Sequence, residues 1–379
     1  MEVPRVNRIL NNEIVLLAAL SLAAVGVFIF TRHMAAHEQQ LNQKIAAVWF
    51  NRGVQYMQAG ETDKAIQSFR SATANVENDP KYTLALANAL AAENHTQEAQ
   101  SLLFRLREAD PENPDVNLSL ARLAAQQGEV QEAARYYENS LYGRWPDDRR
   151  EQRRQVRLEL VRFLLAHQQQ YLATSELFVL QNRTPDSPSA HIEIAKLFVE
   201  ANDLPHALQE YAAAVRLDGN NVEGLTAAGQ LAFQTGNYAQ AEAYLRAALD
   251  ANPDSQDTRH LLTLTKLVLS ADPLLPHLTA REKQNRLQAG LELSKKRLDE
   301  CLSQTHDEKA IAELQSLKTE AAATDVRLRG TSGPDIDEAR AGVDLIFRMQ
   351  QTASGACGNP SDADQALLLI GRQHNGERP

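Results

Sequence analysis

The sequence predicts an all-α protein with an N-terminal transmembrane helix, an α-solenoid of about six helix–turn–helix repeats, and a C-terminal helical extension. Three observations predict this fold class. An uncharged apolar run lies near the start, small and large residues recur at a fixed interval through the middle, and apolar stripes at helical spacing follow. The chain has 379 residues, 43% of them hydrophobic, which is enough for a sizeable core.

The apolar run extends from Ile14 to Phe30 and contains neither a charge nor a proline. As a helix it covers about 25 Å, and about 30 Å if residues 31–34 continue it, which matches the hydrocarbon layer of a bilayer. The following segment, TRHMAAHE, lacks a small-x-small cleavage site. We therefore expect an uncleaved span over residues 14–34, rather than a cleaved signal peptide or a buried core helix. Residues 1–13 are then a short tail, and residues 35–45 a juxtamembrane helix.

The basic residues around this run favour one orientation in the membrane. Arg5, Arg8 and the α-amine precede it, whereas Arg32 alone follows closely. The positive-inside bias then predicts a cytoplasmic N-terminus and an extracytoplasmic, periplasmic location for the rest of the chain. The bias rests on about one charge, so the cytoplasm-facing orientation stays open.

A regular pattern follows the apolar run. A small residue expected where two helices touch recurs at intervals of 34, 34, 40, 34 and 34 residues: Ala65, Ala99, Ala133, Ala173, Ala207 and Ala241. A larger residue follows each of them four positions later: Phe69, Leu103, Tyr137, Leu177, Tyr211 and Leu245. Between the helices stand residues suited to left-handed backbone: Gly60, Asn94, Gly128, Asn202 and Gly236. The pattern predicts six helical hairpins.

The first hairpin resembles the tetratricopeptide repeat. Its sequence places Trp49, Gly53, Tyr56, Ala65 and Phe69 at the spacing of that 34-residue motif, although arginine stands at position 52, where the motif has leucine. The resemblance implies a superhelix whose concave surface is lined by the first helix of each repeat and binds peptides. It divides residues 46–255 into six repeats: 46–79, 80–113, 114–147, 154–187, 188–221 and 222–255.

The single interval of 40 residues falls in an arginine-rich stretch. The segment DDRREQRRQVR, Asp147 to Arg157, contains five arginines in a chain of formal net charge −10. We expect the first helix of the fourth repeat to be extended at its N-terminus by about two turns, with Asp147 and Asp148 favouring the helix start. A contact with an anion or a lipid headgroup is the alternative interpretation.

The repeat resemblance maps the predicted concave surface onto two rows of residues. The apolar row contains Phe50, Leu84, Leu118, Leu158 and Ile192, and the polar row contains Asn88, Arg122, Arg162 and Lys196. Three successive basic residues suggest a partner that has apolar anchors and some acidic character. Repeats that clamp a C-terminal carboxylate have Lys and Asn where this chain has Phe50 and Leu84, so that mode is not expected.

Residues 256–379 are predicted to contain a capping helix and a helical extension packed on the end of the solenoid. The chain has only two cysteines, Cys301 and Cys357, and both lie in this region. In an extracytoplasmic location they are a candidate disulfide, and closing a loop of about 55 residues would contribute roughly 4 kcal/mol in the chain-entropy account. Two small, half-buried thiols are the alternative.

No catalytic motif, metal-ligand set or cofactor signature is found in the sequence. The acidic composition argues against nucleic-acid binding, which requires a basic face. We therefore expect a non-enzymatic, membrane-anchored scaffold that binds protein partners in cell-envelope assembly or maintenance, without a small-molecule substrate. A cytoplasm-facing regulator of an envelope biosynthesis enzyme is the second hypothesis. An enzyme with an unrecognised C-terminal site is the third.

Overall fold

The computed structural model describes residues 4–329 and 333–376, and within them every regular element is a helix. The predicted all-α fold class is therefore confirmed. The chain forms two compact units, residues 1–167 and residues 168–379. The start of the predicted N-terminal tail, residues 1–3, lies outside the described residues.

The first unit begins with a single helix, α1 (Pro4–Gln58), of 55 residues. It joins the apolar run, the predicted juxtamembrane segment and the first helix of repeat one without a break, and its helical conformation includes most of the predicted tail. From Leu16 onward its side chains are exposed as far as Leu41, and Ala46 is the first buried residue. At about 1.5 Å per residue, α1 is about 80 Å long.

Six further helices complete the first unit. They are α2 (Thr62–Asn75), α3 (Pro80–Ala92), α4 (Thr96–Ala109), α5 (Pro114–Gln126), α6 (Val130–Leu141) and α7 (Arg150–Ala166). Consecutive helices pack as antiparallel hairpins, α1 with α2, α3 with α4 and α5 with α6. Each hairpin also packs against the next, which is the arrangement that the repeat resemblance implies.

The second unit contains the remaining ten described helices. Repeat helices come first: α8 (Gln170–Gln181), α9 (Pro188–Glu200), α10 (Leu204–Leu217), α11 (Val222–Gln234) and α12 (Tyr238–Ala251). The predicted capping helix is α13 (Gln256–Ala271). Four more helices follow: α14 (Ala280–Gln304), α15 (Glu308–Arg329), α16 (Ile336–Cys357) and α17 (Asp362–His374).

Small residues lie where the paired helices touch, as predicted. All six alanines of the pattern, from Ala65 to Ala241, are 0% exposed. The close approach is tightest where the first helix carries glycine. A Cβ atom built on Gly53 would lie 2.5 Å from the Phe69 ring, and one on Gly229 would lie 2.7 Å from Leu245 Cδ2. A larger side chain has no room at these contacts, so a small residue is required at each of them. Because the contact recurs in every repeat, the requirement appears in the sequence as a regular spacing.

The turns between paired helices are left-handed in every repeat. The five predicted residues, Gly60, Asn94, Gly128, Asn202 and Gly236, have φ between 59° and 77°. In the fourth repeat, where the sequence predicts no such residue, Gln168 takes φ of 60°. Glutamine is not selected for left-handed backbone, so its type gave no signal.

The arginine-rich insertion differs from the expectation of a two-turn extension. Helix α7 has 17 residues against 13 in α5, so about one turn is added. The rest of the insertion is a 3₁₀ turn over Asp147–Arg149. The guanidinium of Arg149 donates to both carboxylate oxygens of Asp115, at 2.7 and 2.6 Å, and stacks over Trp145. At this arginine, the insertion is tied to repeat three instead of extending as a free helix.

The four C-terminal helices share a core with the end of the repeat region. Leu287, Leu298 and Ile346 pack in one cluster with Val268 of the capping helix and Tyr238 of the sixth repeat. Helix α17 also reaches back, because Gln373 Nε2 donates to the carbonyl oxygen of Gly236 at 3.2 Å. The extension therefore covers the last repeat within the second unit.

Candidate binding surface on the first helices

The predicted surface residues lie on the first helix of each repeat, in both units. In the first unit, Phe50 lies on α1, Leu84 and Asn88 on α3, Leu118 and Arg122 on α5, and Leu158 and Arg162 on α7. In the second unit, Ile192 and Lys196 lie on α9. Residues four apart on one helix share a face, so repeats two to five each have one apolar and one polar position on the same face.

The polar row is accessible to a partner. Asn88, Arg122, Arg162 and Lys196 are all exposed. Each directly follows a buried residue of its helix, and one step along an α-helix turns the side chain by about 100° away from that packed position.

The apolar row is accessible only in its first three members. Phe50, Leu84 and Leu118 are half-buried, whereas Leu158 and Ile192 are 0% and 5% exposed. The assignment of Leu158 and Ile192 as contact residues is therefore corrected, because both are core residues whose side chains a partner cannot reach.

Phe50 is held in place by a small aromatic group. Its ring lies 5.7 Å from that of Phe69 and 5.3 Å from that of Tyr82, both in tilted geometry. The Lys81 ammonium lies 4.4 Å from the Phe50 ring centre. This cation–π contact places a positive charge beside the half-buried ring at the start of the apolar row.

Arg122 is paired with a carboxylate of the next repeat. Its Nε donates to Glu159 Oε1 at 2.8 Å and its Nη2 to Glu159 Oε2 at 2.7 Å, in a bidentate arrangement. The Tyr137 hydroxyl donates to Glu159 Oε1 at 2.8 Å. The pair joins α5 to α7, and the Arg122 side chain remains 58% exposed, so the guanidinium is positioned without being buried.

The environment of this pair shifts the proton affinities of its members. Burial alone would raise the pKa of Glu159, but hydrogen bonds from Arg122 and Tyr137 outweigh it and leave the pKa lowered. The pKa of Arg122 is raised by its hydrogen bond to Glu159, and that of Tyr137 is raised chiefly by burial. The carboxylate is therefore held in its charged form.

Lys196 repeats this arrangement in the second unit. Its Nζ lies 2.6 Å from Glu223 Oε1 on α11, the first helix of the following repeat. The hydrogen bond to Glu223 raises the pKa of Lys196. Two members of the polar row, Arg122 and Lys196, are thus paired with carboxylates that lie outside the predicted rows.

The sequence does contain an indication of these two unpredicted carboxylates, Glu159 and Glu223. Glu159 lies on α7 and Glu223 on α11, in each case the first helix of the repeat that follows the basic residue. On α7, Glu159 stands three positions before Arg162 of the polar row, and so on nearly the same face. A search for opposite charges on the first helix of the following repeat would have found them.

A pocket of about 310 Å³ lies elsewhere on the first unit, between α4, α5 and α6. Phe104, Tyr136 and Arg135 line it, with Leu120 and Ala124 at its base. Among the described residues, no group of three or more His, Cys, Asp or Glu could hold a metal ion.

Comparisons with known proteins identify the repeat. Sequence models of the tetratricopeptide repeat match residues 46–74, 84–149 and 192–256. These ranges include parts of repeats one, two, three, five and six, whereas the fourth, irregular repeat lies outside them. No curated protein matches the chain in sequence.

Three solved structures resemble part of the chain. pilF of Pseudomonas aeruginosa is 20% identical, with 59% of this chain and 98% of that chain covered and a TM-score of 0.39. PilW, described as a type IV pilus biogenesis factor, is 19% identical, with 57% and 98% covered and a TM-score of 0.38. YrrB, described as having an unusual peptide-binding site, is 19% identical, with 51% and 96% covered and a TM-score of 0.38.

Proposed function

We propose that this tetratricopeptide-repeat protein is a membrane-anchored scaffold that binds a segment of a partner protein along the first helices of its repeats, in cell-envelope assembly or maintenance. The observation that carries the proposal is the exposed polar row, in which Asn88 and Arg122 stand beside the half-buried Leu84 and Leu118. Exposed polar and half-buried apolar positions side by side are what an amphipathic or extended peptide requires.

The proposed anchor is the N-terminal part of α1. Its apolar window has a mean hydropathy of 1.7, and none of it is buried. An apolar helix without protein contacts along this length is consistent with a lipid environment. Because α1 continues unbroken to Ala46, the eleven residues after the span hold the repeats about 16 Å from its end.

The ion pairs of Arg122 and Lys196 change what is expected of an acidic partner. Arg122 is already paired with Glu159, and Lys196 with Glu223. An acidic partner that bound either cation would therefore replace one ion pair with another. Exposed pairs contribute little. We propose that apolar contacts with Phe50, Leu84 and Leu118 supply most of the affinity, and that the polar row sets orientation and register.

Two experiments test the anchor. The full chain should remain with membranes after carbonate and high-salt washes, because a spanning helix is not displaced by charge screening. A chain lacking residues 1–40 should be soluble and retain its helicity, since the first packed residue is Ala46. A soluble full-length form, or a truncated form that stays in the membrane fraction, would contradict the proposed anchor.

Site-specific photocrosslinking tests the binding surface. A photoreactive residue at Asn88 in the native membrane should capture a partner, whereas one at Ser101, an exposed position on α4, should not. Leu118→Ser should reduce capture more than Arg122→Gln, because Arg122 already has an ion pair. Equal capture from both positions would place the interaction elsewhere on the chain.

The cytoplasm-facing regulator is the second candidate, and the two cysteines separate it from the first. In the structure the Cys301 and Cys357 sulfurs are bonded, with their Cα atoms 5.7 Å apart. A bridge persists in an oxidising compartment and is rare in the cytoplasm. Alkylation in denaturant without reductant, of protein taken from its native membrane, should leave both cysteines unmodified if the extracytoplasmic orientation is right. A C-terminal reporter fusion gives an independent measurement of topology.

A further inference from the structure

A second pocket lies in the C-terminal part of the second unit, away from the first-helix surface. Its volume is about 330 Å³, and it lies between the capping helix α13, α14 and α17. Leu267, Leu293 and Leu367 form apolar walls, and the small residues Ala289 and Ala363 leave the space between them. Ala289 is exposed, so the pocket opens to solvent.

Arg286 is the one charged residue among those that line this pocket. Its Nη1 donates to the carbonyl oxygens of Leu269 and Asp272, at 2.9 and 2.8 Å, which satisfies the C-terminal end of α13. Among the described residues, none accepts a hydrogen bond from its Nε or Nη2. One edge of the guanidinium is therefore fixed by the backbone, while the other retains its donors.

Neither neighbouring carboxylate forms a hydrogen bond with this cation: Glu282, one turn earlier on α14, interacts with Arg286 electrostatically, but its carboxylate accepts hydrogen bonds from Thr279. The Asp272 side chain accepts from the Leu274 amide at 2.8 Å and lies 3.1 Å from His374 Nε2. Its carboxylate is thus directed to α17 and the following turn, and only its backbone oxygen contacts Arg286. An anionic group entering the pocket would meet a half-buried cation, where charge-assisted hydrogen bonds are stronger than in water.

We infer that this pocket binds a medium-chain aliphatic carboxylate, with the chain against Leu267, Leu293 and Leu367 and the carboxylate on Arg286. The volume is about twice that of a dry apolar cavity that accepts benzene, and it lies at the small end of ligand pockets. Apolar walls with a single convergent cation select an amphiphile that carries one negative charge. A free fatty acid and the C-terminal leucine of a protein both offer this chemistry.

The inference is independent of the proposed partner surface, and photolabelling tests it. The full chain in lipid nanodiscs is irradiated with a photoactivatable decanoate, and labelled peptides are identified by mass spectrometry. We expect labelling of α13, α14 and α17 in addition to α1, which serves as an internal measure of partitioning into lipid. Unlabelled decanoate should suppress the labelling of α13, α14 and α17, and decanol should not.

Two variants with matched controls make the test specific. Ala289→Leu fills the pocket from an exposed helix position, and Ala312→Leu makes the same change at an exposed site on α15. Arg286→Gln removes the cation, and Arg281→Gln removes an exposed arginine one turn earlier on α14. We expect Ala289→Leu and Arg286→Gln each to weaken labelling of the pocket helices by about tenfold or more, with the controls unchanged.

The outcomes separate the alternatives. Labelling confined to α1, equal suppression by decanol, or full labelling of Ala289→Leu would overturn the inference. Circular dichroism of Arg286→Gln shows whether the variant keeps its helices, and Ala289→Leu decides the matter if it does not. A peptide that ends in a leucine carboxylate, with the corresponding amide as its control, distinguishes the two sources of the ligand. If the acid form of the peptide suppresses labelling at lower concentrations than decanoate does, the site is assigned to a protein C-terminus.

Discussion

The repeat helices and the four C-terminal helices reach a stable core by different means. In the repeats, short helices of 12 to 14 residues, such as α4 and α6, pair through a small residue that is fully buried. In the C-terminal region, α14, α15 and α16 have 25, 22 and 22 residues, and α14 and α16 begin with capping boxes. Gln350, which is 0% exposed, donates there to Ser294 Oγ and Asp364 Oδ1.

The difference explains why one region could be predicted to the residue and the other could not. A repeat contacts chiefly its neighbours, so the same packing requirement recurs and is visible as a period. Each contact between C-terminal helices occurs only once in the chain, so it leaves no period in the sequence. Gln350, for example, has no equivalent residue elsewhere that would reveal its role. Specific polar contacts and a cysteine pair stabilise that region in place of repetition.

The largest predicted effect concerns the cysteine pair. Reducing the bridge, or changing both residues to alanine, should destabilise α14 to α17 by about 2–4 kcal/mol, because the unfolded state regains the freedom of the long loop. Hydrogen exchange should accelerate in α16, which carries Cys357, and remain unchanged in α3 to α6. The double variant, insensitive to reductant, is the control. Equal acceleration in both regions would mean that they unfold together.

The next effect concerns the close helix contacts of the repeats. Gly229→Leu should destabilise the second unit by about 1–3 kcal/mol through overpacking, because even a Cβ atom there would lie 2.7 Å from Leu245 Cδ2. Gly219→Leu is the matched control, since a Cβ atom at that glycine has no neighbour within 4 Å. Thermal unfolding measures both variants. A Gly229→Leu chain as stable as the control would show that the helices separate easily.

The sequence was sufficient for the repeat register and much of the turn chemistry, and it failed where tertiary contacts decide. The burial of Ala65 to Ala241 follows from their spacing, whereas left-handed backbone at Gln168 does not follow from its residue type. Leu158 and Leu118 stand at equivalent positions, yet only the first is buried. Pairing of Arg122 with Glu159 depends on the distance between adjacent repeats, which a single helix pattern does not encode.

The smallest effect concerns the charged contacts that both regions contain. The pKa of Glu159 is lowered because the hydrogen bonds from Arg122 and Tyr137 outweigh burial. The pKa of Asp325 on α15 is lowered by hydrogen bonds from Arg329 and Lys295 against the opposing effect of burial. A carboxyl whose folded pKa is depressed stabilises the protein above its unfolded pKa, and the contribution is lost as pH falls through the folded value. Both regions should therefore lose stability on acidification below about pH 4.

Two variants test whether Glu159 contributes to the loss of stability in acid. They are Glu159→Gln and its control Glu138→Gln, which changes an exposed carboxylate on α6. Unfolding followed between neutral pH and pH 3 should show a shallower acid loss for Glu159→Gln alone, because its amide does not titrate. The difference at neutral pH should be below about 1 kcal/mol, since Arg122 is largely exposed. A double-mutant cycle with Arg122→Gln isolates the pair from the hydrogen bond of Tyr137. A coupling of zero would leave Tyr137 as the group that lowers the pKa of Glu159, and Arg122 would then be available to pair with a partner.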